Sequence, residues 1–457
     1  MSNDEPSVRP RRRTTSGKSD VRAAGEASVE LPDAASTAAK TAAGKGTPRK
    51  AAAGKSAAGK SAAGKSAGKS PAESTTAEGT TTEGTSTERA AAPAKRGRPV
   101  VAVTGAAHGL GELLVRRLAS SDGVKKVIAI DTIRGDVAEA TWRLVDVRDP
   151  GLVDRLSGVD VVVHLVVDSA LDHGNPGYHA STVRAAAAVL TAAPAAGVKH
   201  VVLVTSAMVY GARVDNPVPL SEDAELQAAA DSDSLGDLLE IERLAAQAPR
   251  THPGLQVTVL RPAALVGGGV DTILTRHFEA PRLLAVKGLS TRWQFCHADD
   301  LVSALELVAT LGLTADAEAA ETPGLVVAAV GSDGWLERAD VERITGKRHI
   351  ELPASVAFGT AERLHRLGVT PAASSDLQYL VHPWVVDARR LAAGGWRPAY
   401  DNEAALRAAM AESSGSLAIG GHRLGRRDAA AGAAVGATVA LVGTAALVRR
   451  ARRRRRG

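Results

Sequence analysis

Five short, valine-rich hydrophobic runs recur between residues 98 and 262, and helix-length stretches rich in Ala, Leu and Arg separate several of them. Uninterrupted apolar runs of this length are typical of strands that are buried on both faces of a parallel sheet. The runs read VVAVTG, VKKVIAID, VDVVVHLVV, VKHVVLVTS and LQVTVLRP. Their alternation with helices predicts a doubly wound α/β sheet. The pattern becomes mixed after Leu260, which predicts a smaller C-terminal lobe.

The N-terminal segment, residues 1–97, shows no such periodicity and almost no large apolar side chains. It contains the repeat AAAGKSAAGKSAAGKSAGKS and a run rich in Thr and Glu. This composition cannot bury enough apolar surface to offset chain entropy, so we predict a disordered, low-complexity basic segment. The stretch GKSAAGKS at Gly54–Ser61 matches a phosphate-binding loop pattern. Neither a strand before it nor a helix after it is predicted, so we interpret the match as a product of composition.

The charge is unevenly distributed around a net value of +6. Residues 1–99 hold 18 Lys and Arg against 10 Asp and Glu, and residues 421–457 hold 10 Arg against one Asp. An acidic globular part, 98–415, is therefore expected between basic segments 1–97 and 416–457. The basic ends predict contact with an anionic membrane surface or weak, non-specific contact with nucleic acid. A purely solubilising role is the alternative.

The C-terminal segment contains twenty uncharged residues, 429–448, followed by RRARRRRRG. Twenty residues would just cross a bilayer, but this run is rich in Ala and Gly and its insertion energy is marginal. Arginines flank the run on both sides, and they favour the same anionic cytoplasmic face. We predict a cytoplasmic protein attached at the inner face of the cell membrane by its arginines. The absence of an apolar core near Met1 and the single Cys296 agree with this expectation.

The stretch VAVTGAAHGLGELLV, from Val101 to Val115, predicts a cofactor site. Glycines between a first strand and a first helix permit a tight turn, and they let a pyrophosphate approach the helix N-terminus. Asp131 follows at the end of VIAID, where a carboxylate accepts hydrogen bonds from a ribose 2′-hydroxyl and repels a 2′-phosphate. NAD is therefore favoured over NADP, the alternative being a helix-packing turn with a surface Asp. The predicted cofactor-binding turn comprises Gly105, His108, Gly109, Leu110 and Gly111.

Six further segments follow in order, and together with this turn they resemble the extended short-chain dehydrogenases/reductases. They are similar to the NAD-dependent epimerase/dehydratase group, which acts on nucleotide sugars. The resemblance covers about two thirds of the chain, from Pro99 to Leu406. It implies a Rossmann-type doubly wound parallel sheet with a smaller C-terminal substrate lobe, NAD as cofactor and a nucleotide-sugar-like substrate. The segments are LVDVRD, VVHLVV, VTSAMVYG, LRPAALVGGG, QFCHADDLVSAL and DARRLAAGGWRPAYDNEAAL.

The resemblance also implies roles for individual residues. Asp146 and Val147 would contact the adenine, and the strand residues His164, Leu165 and Val166 would line the cofactor. Ser206 would be the catalytic serine, and Tyr210 would lie beside the active site. No metal site is expected. The glycine turn departs from the extended branch, which has Gly where this chain has His108.

The catalytic dyad of the family is missing. In the family, a Tyr exchanges a proton with the substrate, and a Lys one helical turn later lowers the pKa of that Tyr from about 10. The matching helix here reads SLGDLLEIERL, with Ser234 and Leu238 at the two positions, and sliding by one residue gives Leu235 and Leu239. A check without alignment agrees, because none of the four tyrosines has Lys four residues later. They are Tyr178, Tyr210, Tyr379 and Tyr400.

A third departure is Thr182, at the position where the family has Asn, so only Ser206 remains of four catalytic positions. The nearest substitutes in sequence are Tyr210, Asp237, His164 and His108. We interpret His164 as a packed strand residue and Asp237 as a solvated helix residue. Tyr210 is favoured among them, although its pKa is expected to stay near 10 without a cationic neighbour.

Two hypotheses of function remain open. The first is an NAD-dependent epimerase/dehydratase family protein with degenerate acid/base residues. The second is a non-catalytic NAD-binding regulatory or scaffold protein that acts at a membrane or nucleic-acid surface.

Overall fold

Thirteen strands are found in the part of the chain that the computed structural model describes, namely residues 97–165, 176–229, 233–313, 322–366, 374–412, 416–419 and 422–425. In chain order they are β1 (Val100–Thr104), β2 (Lys126–Asp131), β3 (Thr141–Leu144), β4 (Val161–Leu165), β5 (His200–Val204), β6 (Gln256–Pro262), β7 (Ala264–Val266), β8 (Leu283–Val286), β9 (Phe295–His297), β10 (Leu325–Val330), β11 (His349–Leu352), β12 (Ser416–Ile419) and β13 (His422–Gly425).

Helices connect most of these strands. In chain order they are α1 (Gly109–Ala119), α2 (Leu152–Arg155), α3 (Pro176–Ala195), α4 (Asp233–Thr251), α5 (Ile273–Glu279), α6 (Ala298–Leu311), α7 (Arg338–Thr345), α8 (Ala354–Arg366), α9 (Gln378–Val381), α10 (Arg389–Ala393) and α11 (Asn402–Glu412). Two short 3-10 helices, Ala207–Tyr210 and Ser374–Leu377, complete the described elements.

The main sheet has seven strands in the order β10-β6-β5-β4-β1-β2-β3, and every neighbouring pair is parallel. The chain builds outward from β1 to β3, then returns to the other side of β1 and builds outward again from β4. This is the doubly wound, Rossmann-type sheet that the alternating pattern predicts. The reversal lies between β1 and β4, where ligands of such sheets bind at the carboxyl ends of the strands.

The five predicted strands correspond to β1, β2, β4, β5 and β6. Valine-rich runs form the centre of the sheet because both of its faces are covered, and every residue of β5 is buried. Helix α1 packs against α6, and α3 packs against α4, and both pairs contact the sheet. The outer strands β3 and β10 are not among the five valine-rich runs, and the residues of β3 are at most half-buried. The alternating pattern therefore does not find them.

The smaller C-terminal lobe contains two short parallel pairs, β7 with β9 and β8 with β11. Its interior holds an aromatic cluster of Phe278, Trp293 and Phe295, whose ring centroids lie 4.9 to 6.4 Å apart. Asp300 near the start of α6 accepts hydrogen bonds from the backbone N–H groups of Ala399 and Tyr400. The HADD and GWRPAY segments of the sequence therefore meet in space, where they join the lobe to the sheet.

Some of the sequence predictions lie outside the described residues. These are residues 1–96, residues 426–457 with the apolar run 429–448, and Val166 at the end of VVHLVV. The antiparallel pair of β12 and β13 lies within the predicted C-terminal basic segment. No helix in the described part of the chain is long and apolar enough to cross a membrane.

Candidate functional site

The glycine turn joins β1 to α1 at the carboxyl edge of the sheet. Gly105 and Gly109 adopt positive φ angles of 68° and 53°, which residues with a side chain rarely adopt. Gly111 has an ordinary φ angle but no room, because a Cβ atom there would lie 1.9 Å from the carbonyl oxygen of Gly105. The three glycines are therefore required by backbone shape at two positions and by helix-strand contact at the third.

The start of α1 presents free hydrogen-bond donors. His108 is the exposed residue that precedes α1, and its side chain makes no capping hydrogen bond. Among the described residues, no acceptor lies within hydrogen-bond reach of the backbone N–H groups of His108, Gly109 or Leu110. Unpaired N–H groups at a helix N-terminus, together with the helix dipole, form a site that favours anions.

Asp131 at the end of β2 holds the turn in place. Its Oδ2 accepts the backbone N–H of Ala107 at 3.0 Å, while its Oδ1 accepts the N–H and the hydroxyl of Thr132. A carboxylate offers about four acceptor positions, so one remains for a further donor. The sequence indicates a ribose contact for Asp131 but does not reveal this second role in shaping the turn.

Asp146 and Val147 follow β3 and lie beside the end of β2, because the N–H of Val145 donates to the carbonyl oxygen of Asp131. The side-chain and backbone hydrogen bonds from Arg148 lower the pKa of Asp146 to about 2. Asp146 is therefore ionised and oriented by its own loop. Val147 is half-buried.

His164 and Leu165 form the end of β4, next to β1. His164 is buried, and its Nδ1 lies 2.7 Å from the hydroxyl of Thr104. Burial lowers the pKa of His164 to about 4, so its ring is neutral at pH 7. The geometry is that of a packed strand residue, as interpreted from the sequence. Leu165 is half-buried at the carboxyl end of the strand.

A cavity opens at the carboxyl ends of β5 and β6, with about 770 Å³ of empty space when its open mouth is included. It brings together Ser206, Ser234 and Leu238, which are the positions of the family's serine, tyrosine and lysine in the sequence alignment. The remaining lining comes from the sheet, from α4 and α5, and from the segment around α9. These residues are Val204, Thr205, Met208, Leu235, Pro262, Ala263, Leu265, Thr272, Ile273, Leu274, Asp376 and Trp384.

Ser206 precedes the 3-10 helix Ala207–Tyr210, and its Oγ accepts the backbone N–H of Met208 at 3.2 Å. Its hydroxyl proton therefore remains available to donate. Ser234 and Leu238 lie one turn apart on α4, which brings both to the same cavity. Where the family pattern has a phenol and an ammonium group, the wall presents a hydroxyl and an alkyl group.

Tyr210 does not line this cavity, contrary to the expectation that it lies beside the active site. Its side chain is 1% exposed, its hydroxyl donates to the carbonyl oxygen of Glu222, and the same hydroxyl accepts from Arg261 at 2.9 Å. The expectation of no cationic neighbour is also wrong, since Arg261 is that neighbour. Burial raises the pKa of Tyr210, and the charge of Arg261 lowers it only in part. This geometry argues against an acid/base role.

Beneath the cavity floor lies a buried ion pair that the sequence does not reveal. Arg261 of β6 makes two hydrogen bonds to Glu242 of α4, and the two side chains are 7% and 4% exposed. The hydroxyl of Thr205 also donates to Glu242 at 2.7 Å. Burial lowers the pKa of Arg261, but the hydrogen bonds and charge of Glu242 outweigh it, so the pKa of Arg261 is raised overall and its guanidinium group stays charged.

The other substitutes considered from the sequence lie elsewhere. His164 contacts Thr104 inside the sheet, His108 is exposed at the start of α1, and Asp237 is half-buried on α4. None of the three, nor Thr182 of α3, belongs to the described lining of the cavity. The residues that sequence reasoning missed are Asp376 and Trp384, which are far away in the chain and carry no motif.

Comparison with known proteins relates part of this chain to a protein family. Residues 101–317 match the model of the NAD dependent epimerase/dehydratase family. The matched segment, a little under half of the chain, is similar to that family. The match contains the glycine turn, Asp131, Ser206 and the altered dyad positions. Asp376 and Trp384 of the cavity lie beyond it.

Proteins of Mycobacterium tuberculosis and Mycobacterium bovis, both described as uncharacterized, are similar to this chain. Each is 28% identical over 303 residues, which is 64% of this chain and 78% of the relative. The similarity therefore extends past the segment that the family model matches.

Solved structures with the same fold include three nucleotide-sugar enzymes. A UDP-galactose 4-epimerase matches 69% of this chain and 98% of its own with a TM-score of 0.50 and 20% identity. A UDP-glucose-4-epimerase from Stenotrophomonas maltophila, with NAD and formylated UDP-arabinopyranose bound, matches 69% of this chain and 99% of its own, with a TM-score of 0.51 and 19% identity. A dTDP-glucose 4,6-dehydratase double mutant from Streptomyces venezuelae, with NAD bound, matches 69% of this chain and 96% of its own, with a TM-score of 0.50 and 20% identity. At these identities the likeness establishes the fold.

Proposed function

We propose that this chain is an NAD-binding member of the epimerase/dehydratase family that does not carry out the family's tyrosine-dependent chemistry. It binds the cofactor at the glycine turn and a second ligand in the cavity, and the occupancy of these sites governs an interaction of the protein. The observation that carries the proposal is the meeting of Ser206, Ser234 and Leu238 in one cavity, where the family pattern has a serine, a tyrosine and a lysine.

The residues present fit NAD. The missing side chain at Gly111 lets α1 start close against the turn, and the unpaired N–H groups of His108, Gly109 and Leu110 suit a pyrophosphate. Asp131 retains an acceptor position for a ribose hydroxyl, and its negative charge would repel the 2′-phosphate of NADP. The proposed adenine side is formed by Asp146 and Val147, and Leu165 lies at the end of β4 on the opposite side of β1. Val166, the next residue in the sequence, is proposed to contact the cofactor as well. Solved relatives with NAD bound support the assignment.

Bound NAD would supply a hydride acceptor, but the described lining of the cavity has no tyrosine with an adjacent lysine to take the accompanying proton; its acidic side chain is Asp376. The hydroxyl of Ser206 can donate a hydrogen bond to a ligand oxygen and orient it. A hydroxyl cannot replace a phenol whose pKa is lowered by an adjacent ammonium group. Positioned acid–base catalysis contributes about 10²–10⁴-fold to the rate, so turnover by the family route should be lost. The alternative is a family enzyme that retains turnover through other groups.

The test uses the full chain in two measurements. Calorimetric titration with NAD and NADP should give binding of NAD and much weaker binding of NADP. Incubation with NAD and UDP-glucose, UDP-galactose or dTDP-glucose should give neither NADH nor a new sugar product. Equal affinity for the two cofactors would remove the argument from Asp131. Turnover that disappears in Ser206→Ala would establish the alternative, a working enzyme.

The place of action is also a proposal. The tail RRARRRRRG would hold the protein at the inner face of the cell membrane, because each Arg near an anionic surface contributes about 1 kcal/mol. Weak contact of the basic ends with nucleic acid is the competing proposal. The arginine tail and residues 1–96 lie outside the described residues, and the support comes from their composition.

A further inference from the structure

The cavity that contains Ser234 and Leu238 is lined mostly by apolar side chains. Ten of the fifteen lining residues that the structure describes are apolar, and they come from the main sheet, the 3-10 helix Ala207–Tyr210, β7, α4, α5 and the segment after α9. Leu235 and Leu238 are 1% and 5% exposed, so they belong to the packed wall and not to a mobile surface. The ten are Val204, Met208, Leu235, Leu238, Pro262, Ala263, Leu265, Ile273, Leu274 and Trp384.

The described lining of the cavity offers no cationic partner to a diphosphate. None of the described lining residues is Arg, Lys or His, and the acidic side chain among them is Asp376, which is 8% exposed. Phosphate oxygens in proteins are held by guanidinium or ammonium groups or by backbone N–H groups, and burying them without such partners is very costly. These residues therefore disfavour a diphosphate at this place.

Most of the polar side chains in the described lining already make hydrogen bonds or other polar contacts within the protein. The hydroxyl of Thr205 donates to Glu242, and the Oγ1 of Thr272 accepts the backbone N–H of Thr275 as the cap of α5. Ser206 keeps its proton. A hexose presents several hydroxyl groups, and each one buried without a partner weakens binding by about tenfold. The wall therefore suits a ligand with few polar atoms.

We propose that the cavity binds the apolar ring or alkyl part of a neutral small molecule, with one ligand oxygen accepting the hydrogen bond of Ser206. This deepens the proposed function, on which it rests, by replacing a nucleotide sugar with a hydrophobic alcohol or ketone as the second ligand. Leu238 is a specificity-determining residue for this ligand, because its alkyl side chain lies where an ammonium group would make the wall polar.

The probe for the test is 6-propionyl-2-(dimethylamino)naphthalene, a neutral aromatic ketone whose emission shifts to the blue in apolar surroundings. With the full chain it should give a saturable blue-shifted emission. UDP-glucose at millimolar concentration should not displace it. Ser206→Ala should weaken the binding about threefold to tenfold, since a neutral hydrogen bond is lost.

Two cavity variants and one surface control test whether the probe binds in this cavity. Leu238→Lys should weaken binding at least about tenfold, because it puts a charge into the apolar wall. Leu311→Lys makes the same exchange at a residue that is 67% exposed at the end of α6, and it should bind the probe as the unchanged protein does. Ser234→Trp fills the cavity without adding a charge and should also abolish binding. If a thermal unfolding measurement shows that Leu238→Lys is not folded, Ser234→Trp still tests whether the probe binds in this cavity.

Three outcomes would overturn the inference: no saturable binding, displacement of the probe by UDP-glucose, or equal binding to Ser234→Trp. Complete displacement by NAD would also overturn it, because the apolar wall would then belong to the nicotinamide. NAD affinity is measured on the same samples. Loss of NAD binding with probe binding retained would refute the proposed function and leave the cavity assignment standing.

Discussion

His277 shows at the residue scale how burial sets the behaviour of an ionisable group. It lies in the aromatic cluster of the C-terminal lobe, stacked on Trp293 at 5.6 Å and edge-on to Phe278 at 5.2 Å. Its Nε2 is buried and has no hydrogen-bond partner among the described residues. Burial, with smaller contributions from the charges of His349 and Lys347, lowers the pKa of His277 from 6.5 to about 3.

We predict that His277→Phe raises the free energy of unfolding by about 1 kcal/mol, because it removes an unpaired buried polar atom and keeps an aromatic ring. It should also weaken acid sensitivity. Below pH 6.5 the unfolded chain takes up a proton at His277 that the folded chain refuses down to about pH 3, so stability falls as the pH is lowered through this range. Urea unfolding at pH 7 and pH 4.5 measures both effects.

His200→Phe is the matched control, since His200 is also buried but its Nε2 lies 2.9 Å from the hydroxyl of Thr258. There the same exchange leaves a buried hydroxyl without that partner and should lower stability. If both variants were destabilised equally at pH 7, the argument from the unpaired nitrogen would be wrong.

At the scale of elements, the ion pair of Arg261 and Glu242 joins α4 to β6 directly beneath the cavity. We predict that Glu242→Ala lowers the free energy of unfolding by about 3–5 kcal/mol, because it leaves Arg261 charged and buried without its partner. Glu240→Ala removes an exposed pair with Arg243 on the same helix, and it should cost less than about 1 kcal/mol. Chemical unfolding of the two variants measures the difference, and similar losses would contradict the assignment.

The contact of α1 with β1 gives a second prediction for the elements. Gly111→Ala places a Cβ atom against the carbonyl oxygen of Gly105, so the turn must shift and NAD binding should be lost. Gly359→Ala is the control, because a Cβ atom in that position of α8 meets nothing within 4 Å. Calorimetric titration with NAD measures binding, and circular dichroism checks that both variants are folded. Unchanged NAD affinity in Gly111→Ala would remove the turn from the cofactor site.

The whole molecule combines a folded α/β part with a C-terminal arginine tail. We predict that the full chain sediments with membranes at low salt and is released at high salt, because attraction to anionic lipids is screened by ions. A chain shortened to end at Ser416 should stay in the supernatant throughout. Retention of the full chain in the pellet through high salt and alkaline washing would mean that the run 429–448 spans the membrane. A full chain that does not sediment at low salt would point to another partner, with nucleic acid the first to test.

Much of the fold could be predicted because the relevant signals are local. A valine-rich run is buried on both faces wherever helices cover the sheet, which is why the five runs became central strands. The outer strand β3 could not be predicted in the same way, since its residues TWRL are at most half-buried and form no valine-rich run. The outer strand β10 has such a run, LVVAAV, but it lies in the mixed part of the sequence after Leu260. The glycine turn was also predictable, because positive φ angles and a missing Cβ atom are properties of single residues.

The sequence by itself determined that no Tyr is followed four residues later by Lys, which no folding can change. It also determined the order of the central strands along the chain and the glycine turn. Only the tertiary structure decided which side chains meet in the cavity. Tyr210, near in sequence, turns away to Glu222 and Arg261, while Trp384, distant in sequence, forms part of the wall. Such contacts depend on how the C-terminal lobe packs on the sheet, and packing brings together residues that share no local pattern.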